Sequence, residues 1–390
     1  MVAARTANRR NLIAACAAIT VFGFALGMTY PLLSLILESR GVSPDMIGIN
    51  AAMMPIGILL FAPVLPVAAW RFGSRRVAIA AALLAAFLML GYPLFDGLAA
   101  WFVLRLLQGM SISTLFVLSE AWIVTYAGDD HRGKVVAAYA SILSASFGAG
   151  PAIVGIIGID GWLPFIIGTA VLIASVLPLS LVREEHTARP RETRPSGFFG
   201  FAPRAPMLLC AVFAFAIFDA ATLALLPVYG LRLGLDLPTA AGALTALIVG
   251  NVVLQFPIGW LADRLPRRGV LAGCALGAAL SMALLPPTMG TAWMWLALVV
   301  GGACGYGVYT VSLSSLGDRF SGDELVSGSA AFASMWGVGA LVGSTAGGWS
   351  MQGAGPHGLP IFLAVIFALL FLGLTLRAAS LARANAGRSC

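Results

Sequence analysis

Three ionisable side chains, Arg105, Glu120 and Asp219, lie well inside long apolar stretches of this chain. An ionisable residue inside a membrane segment costs free energy, and it usually marks a substrate path or a proton relay. Asp219 falls near the middle of its stretch, where burial disfavours the charged carboxylate. We therefore expect Asp219 to load and release a proton. The alternative is a protonated Asp219 that only forms a hydrogen bond between helices.

Glu120 follows Arg105 by fifteen residues on one predicted helix. The two side chains project within roughly 60° of each other but lie roughly 22 Å apart along the axis, so they cannot pair. Our hypothesis is that Glu120 and Asp219 carry protons or contact a cationic group. Arg105 would hold an anionic group or tune a carboxylate. The alternatives are a gate pair between Glu120 and Arg132 or Lys134, and a structural Arg105 bound to backbone carbonyls.

Further side chains on apolar stretches could complete a binding site: Tyr30, Asn50, Gln108, Asn251, Gln255 and Trp336. Asn251 is the strongest of these, because it falls near the middle of its stretch. Tyr30 and Asn50 could instead lie at the membrane interface. Aromatic residues in membrane helices usually serve packing, so we rank Trp336 low as a ligand contact.

The stretches that carry these residues predict an all-α membrane protein. Of the 390 residues, 60% are hydrophobic and 10% are charged, whereas about a quarter are charged in soluble domains. Apolar blocks of about twenty residues span a bilayer, and the backbone in lipid must form helices. Twelve transmembrane helices are predicted at 11–37, 45–69, 77–95, 99–126, 133–158, 161–182, 207–231, 238–262, 269–287, 290–317, 324–351 and 357–380. The first is expected to stay in the mature protein, since it is too long for a signal peptide.

The distribution of basic residues predicts the orientation. If both termini are cytoplasmic, all but three of the 23 Lys and Arg residues fall on the cytoplasmic side. The exceptions are Arg40 and Arg232 on the opposite side and Arg105 inside a helix. Such a bias follows the positive-inside rule. With an odd number of spans the basic residues would be divided between the two sides.

An internal repeat predicts two pseudo-symmetric six-helix bundles. The segment 137–141 (AAYAS) returns as 330–334 (AAFAS), and 69–75 aligns with 262–268 at the same offset. A looser echo links the region after Pro31 with that after Pro227. The halves are predicted at 1–182 and 207–390, joined by a cytoplasmic linker at 183–206. Parallel repeats of this kind place a substrate site at their interface.

Several other functions are disfavoured by the sequence. The basic residues form no continuous patch for nucleic acid, and no G-x-x-x-x-G-K-[ST] motif for a nucleotide-driven pump is present. The three histidines fall in loops without metal-ligand spacing, so we expect no metal, no cofactor and no enzymatic activity. No filter or charge ring of a channel is visible. Four of the five cysteines lie in apolar stretches, where we expect small buried residues rather than disulfides.

One motif lies at the end of the eighth predicted span and in the turn after it. Its sequence is Gly259-Trp-Leu-Ala-Asp263-Arg264-Leu-Pro-Arg267-Arg268. It resembles the helix 2–3 loop signature of the major facilitator superfamily, G-x-L-A-D-R-x-G-R-R, which acts there as a latch between states. We expect Gly259 to allow close helix packing and Asp263 to pair with an arginine or a helix N-terminus. The first-half copy around Arg71 departs from the pattern, with Pro66, Trp70 and Ser74 at signature positions. The alternative for these charges is topology alone.

Two further motifs add to the resemblance. Arg105-Leu-Leu-Gln108-Gly109 resembles the R-x-x-Q-G element of the family, which is linked there to proton coupling. Gly148-Ala-Gly150-Pro151-Ala-Ile-Val-Gly155 is similar to part of the helix 5 signature of proton-driven exporters, although Val154 replaces a glycine. A Gly–Pro pair also serves plain helix packing.

The resemblance implies a secondary transporter that works by alternating access. We expect proton-coupled efflux of a small organic solute by antiport; the alternative is proton-coupled uptake, or uniport, of an organic anion or metabolite. The implied partners are a small-molecule substrate, protons and the lipid bilayer, with no nucleic acid, and the chain is expected to act as a monomer. Without an organelle transit signature, a bacterial inner membrane is the expected location.

Overall fold

The computed structural model describes residues 2–126, 132–181 and 201–386, and these residues are almost entirely helical. The predicted linker residues 183–200, His131, His186 and Cys390 lie outside the described residues. The described helices are α1 (Val2–Ser39), α2 (Pro44–Phe61), α3 (Leu65–Phe72), α4 (Ser74–Leu94), α5 (Leu98–Tyr126), α6 (Arg132–Ile157), α7 (Leu163–Ala174), α8 (Val176–Ser180), α9 (Pro206–Arg232), α10 (Leu237–Arg264), α11 (Arg267–Thr288), α12 (Trp293–Arg319), α13 (Gly322–Ala354) and α14 (Gly358–Ala386).

Ten of the helical segments in the described residues are long and apolar enough to cross a membrane. The α6 helix contributes a shorter apolar segment, Ser141–Ile157. The α13 helix has 33 residues, but glycines and serines recur along it and make it less apolar. Together these helices agree with the predicted set of membrane spans.

Proline divides two of the predicted spans. The span predicted at 45–69 is α2 followed by α3, with a turn over 62–64 that contains Pro63. The span predicted at 161–182 is α7 followed by α8, and the break at Ser175 precedes Pro178. Proline donates no backbone hydrogen bond, and its ring clashes with the carbonyl four residues earlier. In α8 that carbonyl belongs to Ala174, the last residue of α7.

The first compact unit comprises Met1–Val42, Ile49–Glu192 and Leu237–Thr245. Within it α1 packs against α6 and α5, while α4 packs against α5 and α7. These contacts surround the part of α5 that carries Arg105.

The second compact unit comprises Ser43–Gly48, Thr193–Asp236 and Ala246–Cys390. Within it α9 packs against α13 and α12, while α11 packs against α12 and α14. These pairs are the counterparts, along the repeat, of the pairs in the first unit. The pseudo-symmetry expected from the repeat is therefore confirmed, whereas the boundaries at 182 and 207 remain a prediction.

Candidate functional site

Arg105 on α5 lies at the centre of a polar cluster in the first unit. Its side chain is completely buried. Its Nη1 donates to Asn50 Oδ1 on α2 at 3.0 Å, and its Nη2 lies 3.5 and 3.4 Å from the carbonyls of Thr29 and Tyr30 on α1. The guanidinium carbon is 5.0 Å from the centre of the Tyr30 ring, within the range of a cation–π contact.

The hydrogen bonds of this cluster are incomplete. In the described part of the chain, no carboxylate forms an ion pair with Arg105. Arg105 Nε, Asn50 Nδ2 and Thr29 Oγ1 are buried without a hydrogen-bond partner. Buried polar groups usually have partners, so this cluster has the capacity to bind a further polar or anionic group. Asn50 and Tyr30 are both buried beside Arg105.

The other two residues of the Arg105 motif contact different helices. Gln108 Oε1 accepts from Tyr92 Oη on α4 at 2.7 Å. A Cβ at Gly109 would lie 2.2 Å from the carbonyl oxygen of Met54 on α2, so only glycine allows the two backbones to approach this closely. The motif thus connects α5 to α4 and α2 while Arg105 faces α1 and α2.

Asp219 on α9 lies at the centre of a second polar cluster, in the second unit. Its carboxyl group is buried, and Oδ1 accepts from Tyr306 Oη on α12 at 2.7 Å. The ring of Tyr306 packs edge-on against Phe215 and Phe218 of α9, with ring centres 5.3 and 6.1 Å apart. The carboxyl group therefore lies beside aromatic rings and accepts a short hydrogen bond from a hydroxyl group.

Two partners of Asp219 differ from the sequence predictions. Tyr306 was not predicted, because nothing local to Gly305-Tyr306-Gly307 indicates that α12 crosses α9 at Asp219. The indole of Trp336 on α13 also interacts with the Asp219 carboxyl group, while its low ranking as a ligand contact stays a prediction. The one signal that the sequence offers for both residues is an aromatic side chain with a polar tip inside an apolar stretch.

The remaining predicted polar residues are not brought into these clusters. Glu120 is exposed and forms no ion pair or hydrogen bond with any described side chain, while those of Arg132 and Lys134 are not described. Asn251 is half-buried on α10. Gln255, one turn further along α10, has both amide atoms buried without a hydrogen-bond partner, which makes it the stronger candidate for contact with a solute.

The loop motif forms an ion-pair cluster. Arg267 Nη2 lies 3.9 Å from Asp263 Oδ1, and Arg267 Nε lies 2.9 Å from Asp318 Oδ2 at the end of α12. The pairing of Asp263 with an arginine is as predicted, while Asp318 was missed because it is distant in sequence. The Arg264 guanidinium stacks 4.1 Å from the Trp260 ring. One arginine therefore connects the ends of α10, α11 and α12.

Two glycines behave differently from each other. A Cβ at Gly259 would meet no described atom within 4 Å, so the close helix packing expected there is wrong. By contrast, a Cβ at Gly150 would lie 2.3 Å from the backbone of Gly27 on α1. Pro151 is buried beside it inside α6. The α6 motif is thus a packing contact between α6 and α1.

In the first-half loop, Arg71 is exposed and its guanidinium carbon lies 5.5 Å from the centre of the Phe72 ring.

The cysteines are less buried than expected. Cys274 is buried, Cys16 and Cys304 are half-buried and Cys210 is exposed, and all four are free. Each lies on a membrane helix, where a side chain can face lipid. The described residues contain no group of three or more side chains arranged to hold a metal ion.

Comparison with known protein families gives a match over nearly the whole chain. The sequence profile of the Major Facilitator Superfamily matches residues 15–250 and 233–388. The chain belongs to this superfamily. The uncharacterised transporter YfkF of Bacillus subtilis (strain 168) is 26% identical over 92% of this chain and 93% of its own length. The uncharacterised transporter YcaD of Escherichia fergusonii is also 26% identical, over 79% of this chain and 80% of its own.

Solved structures of the superfamily share the fold. The nucleoside transporter NupG, as a D323A mutant, superposes with a TM-score of 0.79 at 15% identity, covering 94% of this chain and 99% of its own. The D-xylose–proton symporter superposes with a TM-score of 0.72 at 17% identity, covering 93% and 96%. The chain is thus a multi-pass membrane protein with the superfamily fold, and its curated relatives are transporters.

Proposed function

We propose that this member of the major facilitator superfamily is a secondary active transporter that exports a small organic solute in exchange for protons. The observation that carries the proposal is the buried Asp219 carboxyl group, bonded to Tyr306 Oη at 2.7 Å. Asp219 has no basic ion-pair partner among the described residues, and such a carboxyl group inside a membrane helix is suited to exchange protons. The motifs that resemble those of proton-driven exporters also support antiport.

The surroundings of Asp219 indicate the class of solute. Phe215, Phe218 and Tyr306 present aromatic rings around the carboxyl group, and aromatic faces attract cations. A lipophilic organic cation would contact the rings and neutralise the carboxylate. A proton and such a cation would then compete for the same oxygen atoms, and this competition is the physical basis of antiport.

The alternative is proton-coupled uptake, or uniport, of an organic anion or metabolite. It is favoured by the Arg105 cluster, where Nε is buried and unpaired and no described carboxylate neutralises the charge. The fold neighbours named for nucleosides and D-xylose provide two uncharged solute classes to test beside it.

The same proposal includes the cellular setting. The chain would act as a monomer in a bacterial inner membrane with both termini in the cytoplasm, and its halves would be 1–182 and 207–390. Glu120, Gln108, Asn251, Gln255 and Tyr30 would contribute to the solute and proton pathway. The pairs of Arg267 with Asp263 and Asp318 would open and re-form during the cycle.

Transport assays with three probes test this function. Purified full-length chain is reconstituted in liposomes with an imposed pH gradient, and movement of ethidium, uridine and D-xylose is followed. We expect ethidium to move against the proton flow and its movement to stop when the gradient is collapsed. Uptake of uridine or D-xylose with the proton flow would favour the alternative. Movement that ignores the gradient would rule out proton coupling.

A further inference from the structure

A basic pocket lies at one end of the second unit, and of its lining the proposed transport function involves only Arg267. Its cavity has a volume of about 60 Å³ and is lined by five arginines: Arg204, Arg267, Arg268, Arg319 and Arg377. They come from the segment before α9, the start of α11, the end of α12 and the last part of α14. Folding therefore gathers charges that are far apart in sequence.

Acidic residues compensate only part of this charge. Arg204 Nη1 lies 2.5 Å from Glu324 Oε1, and Arg267 is paired with Asp263 and Asp318. Among the described residues, no carboxylate forms an ion pair with three of the five, which are Arg268, Arg319 and Arg377. The charges of Arg268 and Arg377 act repulsively on Arg319, and the nearby Asp318 carboxylate acts against this repulsion.

Two further observations indicate that the pocket favours an anion. Arg267 Nη1 is buried and has no hydrogen-bond partner. The α11 helix begins at Arg267 with no side-chain cap and no acidic residue in its first turn. The start of a helix is the positive end of its dipole, so it attracts anions and disfavours arginines. The unpartnered arginine nitrogen and the positive helix end lie in the same place. One negatively charged group would bond with the first and compensate the second.

We propose that this pocket binds a phosphate-bearing anion, the headgroup of an acidic phospholipid. A cavity of about 60 Å³ holds several water-sized atoms, which suits the oxygen atoms of one phosphate. Arginine forks match phosphate geometry, and basic pockets between membrane helices bind anionic headgroups.

The rest of the lining favours a lipid over free phosphate. Met207, Leu271 and Leu374 contribute apolar surface beside the arginines. Apolar surface adds no binding free energy for inorganic phosphate. It does add binding free energy for a lipid, whose glycerol and acyl parts can pack against it. The predicted topology also places this end of the unit at the cytoplasmic surface of the membrane.

Lipid titration of the purified chain tests the proposal. Phosphatidylglycerol is added to the protein in neutral detergent and Tm is recorded, with phosphatidylcholine as the reference lipid. We expect phosphatidylglycerol to raise Tm by a few degrees. Arg319→Gln and Arg377→Gln should each weaken its apparent affinity about fivefold, because one basic residue near an anionic surface contributes about 1 kcal/mol.

Matched variants control for loss of charge and for misfolding. Arg76→Gln removes an exposed arginine from the first unit and should leave the affinity unchanged. Arg319→Lys keeps the charge and should retain most of the binding, which also checks that the fold tolerates a change there. An equal loss of affinity in Arg76→Gln, or no preference for phosphatidylglycerol, would overturn the proposal.

A second arm distinguishes the two sources of phosphate. Inorganic phosphate is titrated at constant ionic strength into the same detergent sample. A Tm that responds to phosphatidylglycerol but not to phosphate supports the lipid. A response to phosphate alone, lost in Arg319→Gln, would overturn the lipid assignment and leave a site for a soluble phosphate compound.

Discussion

At the scale of single residues, the bond between Asp219 and Tyr306 is central to the proposed coupling. The Tyr306 hydroxyl group donates to a carboxyl oxygen at 2.7 Å, while its ring packs on Phe215 and Phe218. A donor at this distance favours the charged carboxylate. The strength of this bond therefore sets how readily Asp219 gives up its proton, and the packing of the ring holds the donor in place.

Replacing Tyr306 with phenylalanine isolates the hydroxyl group. Tyr306→Phe keeps the ring but removes a hydrogen bond to a charged group, which contributes about 1.5–3 kcal/mol. We expect proton-driven transport to slow about tenfold or more, measured in liposomes with the probe that the wild type transports. Tyr229→Phe is the matched control, because it removes a bond to His357 instead. Equal rates in both variants would contradict a coupling role for Tyr306.

Arg105 is expected to serve transport and not the stability of the fold. Its one short hydrogen bond, to Asn50 at 3.0 Å, contributes about 1.5–3 kcal/mol, whereas burying the charge costs several kcal/mol. This hydrogen bond alone therefore does not offset the cost of burying the charge. We expect Arg105→Gln to abolish transport while Tm in detergent stays at or above that of the wild type.

The control for Arg105 is Arg76→Gln, which removes an exposed arginine and should change neither transport nor Tm. A marked fall in the Tm of Arg105→Gln would instead make Arg105 a structural residue bound to backbone carbonyls. The two variants are compared at equal protein and detergent concentrations.

The sequence was sufficient to find the charged centres of both clusters and to offer Tyr30 and Asn50 as candidates, but it did not pair them with Arg105 and it missed Tyr306. Arg105 and Asp219 stand out because a charge inside an apolar stretch is costly wherever the helix lies. Tyr306 and Asn50 carry no such mark, since polar tips are common in membrane helices. Their roles depend on which helices cross, and a single sequence does not fix those crossings.

At the scale of helices, contacts between backbones hold α1 against α6 and α2 against α5. Gly150 meets Gly27, and Gly109 meets the carbonyl of Met54. Small residues at such crossings let helices approach closely in a membrane. This packing positions the part of α5 that carries Arg105.

An alanine scan of glycines separates these contacts from permissive positions. Gly150→Ala puts a methyl group 2.3 Å from the Gly27 backbone, which cannot give way as a side chain would. We expect a loss of stability of about 1–3 kcal/mol, seen as a lower Tm. Gly259→Ala meets open space and should leave Tm unchanged or raise it slightly. Wild-type Tm in Gly150→Ala would argue against this crossing.

The sequence predicted which helices exist better than where they end. Apolar blocks of membrane length identified the spans, because lipid requires the backbone to be paired internally. The breaks at 62–64 and Ser175 were missed. Proline is tolerated inside several other helices here, such as Pro31 in α1 and Pro227 in α9, so its presence alone does not predict a break.

At the scale of the whole molecule, the repeat explains why the two units show the same helix pairings. The pairs α1–α6 and α4–α5 correspond to α9–α13 and α11–α12. The functional groups do not follow this symmetry. Arg105 is in the first unit and Asp219 in the second, and the position related to Arg105 by the 193-residue offset is Leu298. Duplication thus fixed the scaffold, and later substitutions made the halves chemically different.

Topology can be tested with a reporter that folds only where disulfides form. Such compartments lie outside the cytoplasm, so alkaline phosphatase reports the side of the membrane. Insertion at Gly41, the exposed turn after α1, should give activity, whereas insertion after Phe72, between α3 and α4, should give none. The opposite pattern would reverse the predicted orientation of both termini.

The most direct test of the central claim compares exchange with gradient-driven transport in Asp219→Asn. Asparagine keeps the size and most polar contacts of aspartate but cannot carry a proton. Because the same carboxylate would bind the cationic solute, we predict that Asp219→Asn exchanges labelled probe more slowly across liposomes without a pH gradient and no longer responds to an imposed gradient. Asp96→Asn, at a side chain 93% exposed, should behave as the wild type. A gradient response in Asp219→Asn equal to that of the wild type would contradict the assignment of Asp219 as the proton carrier.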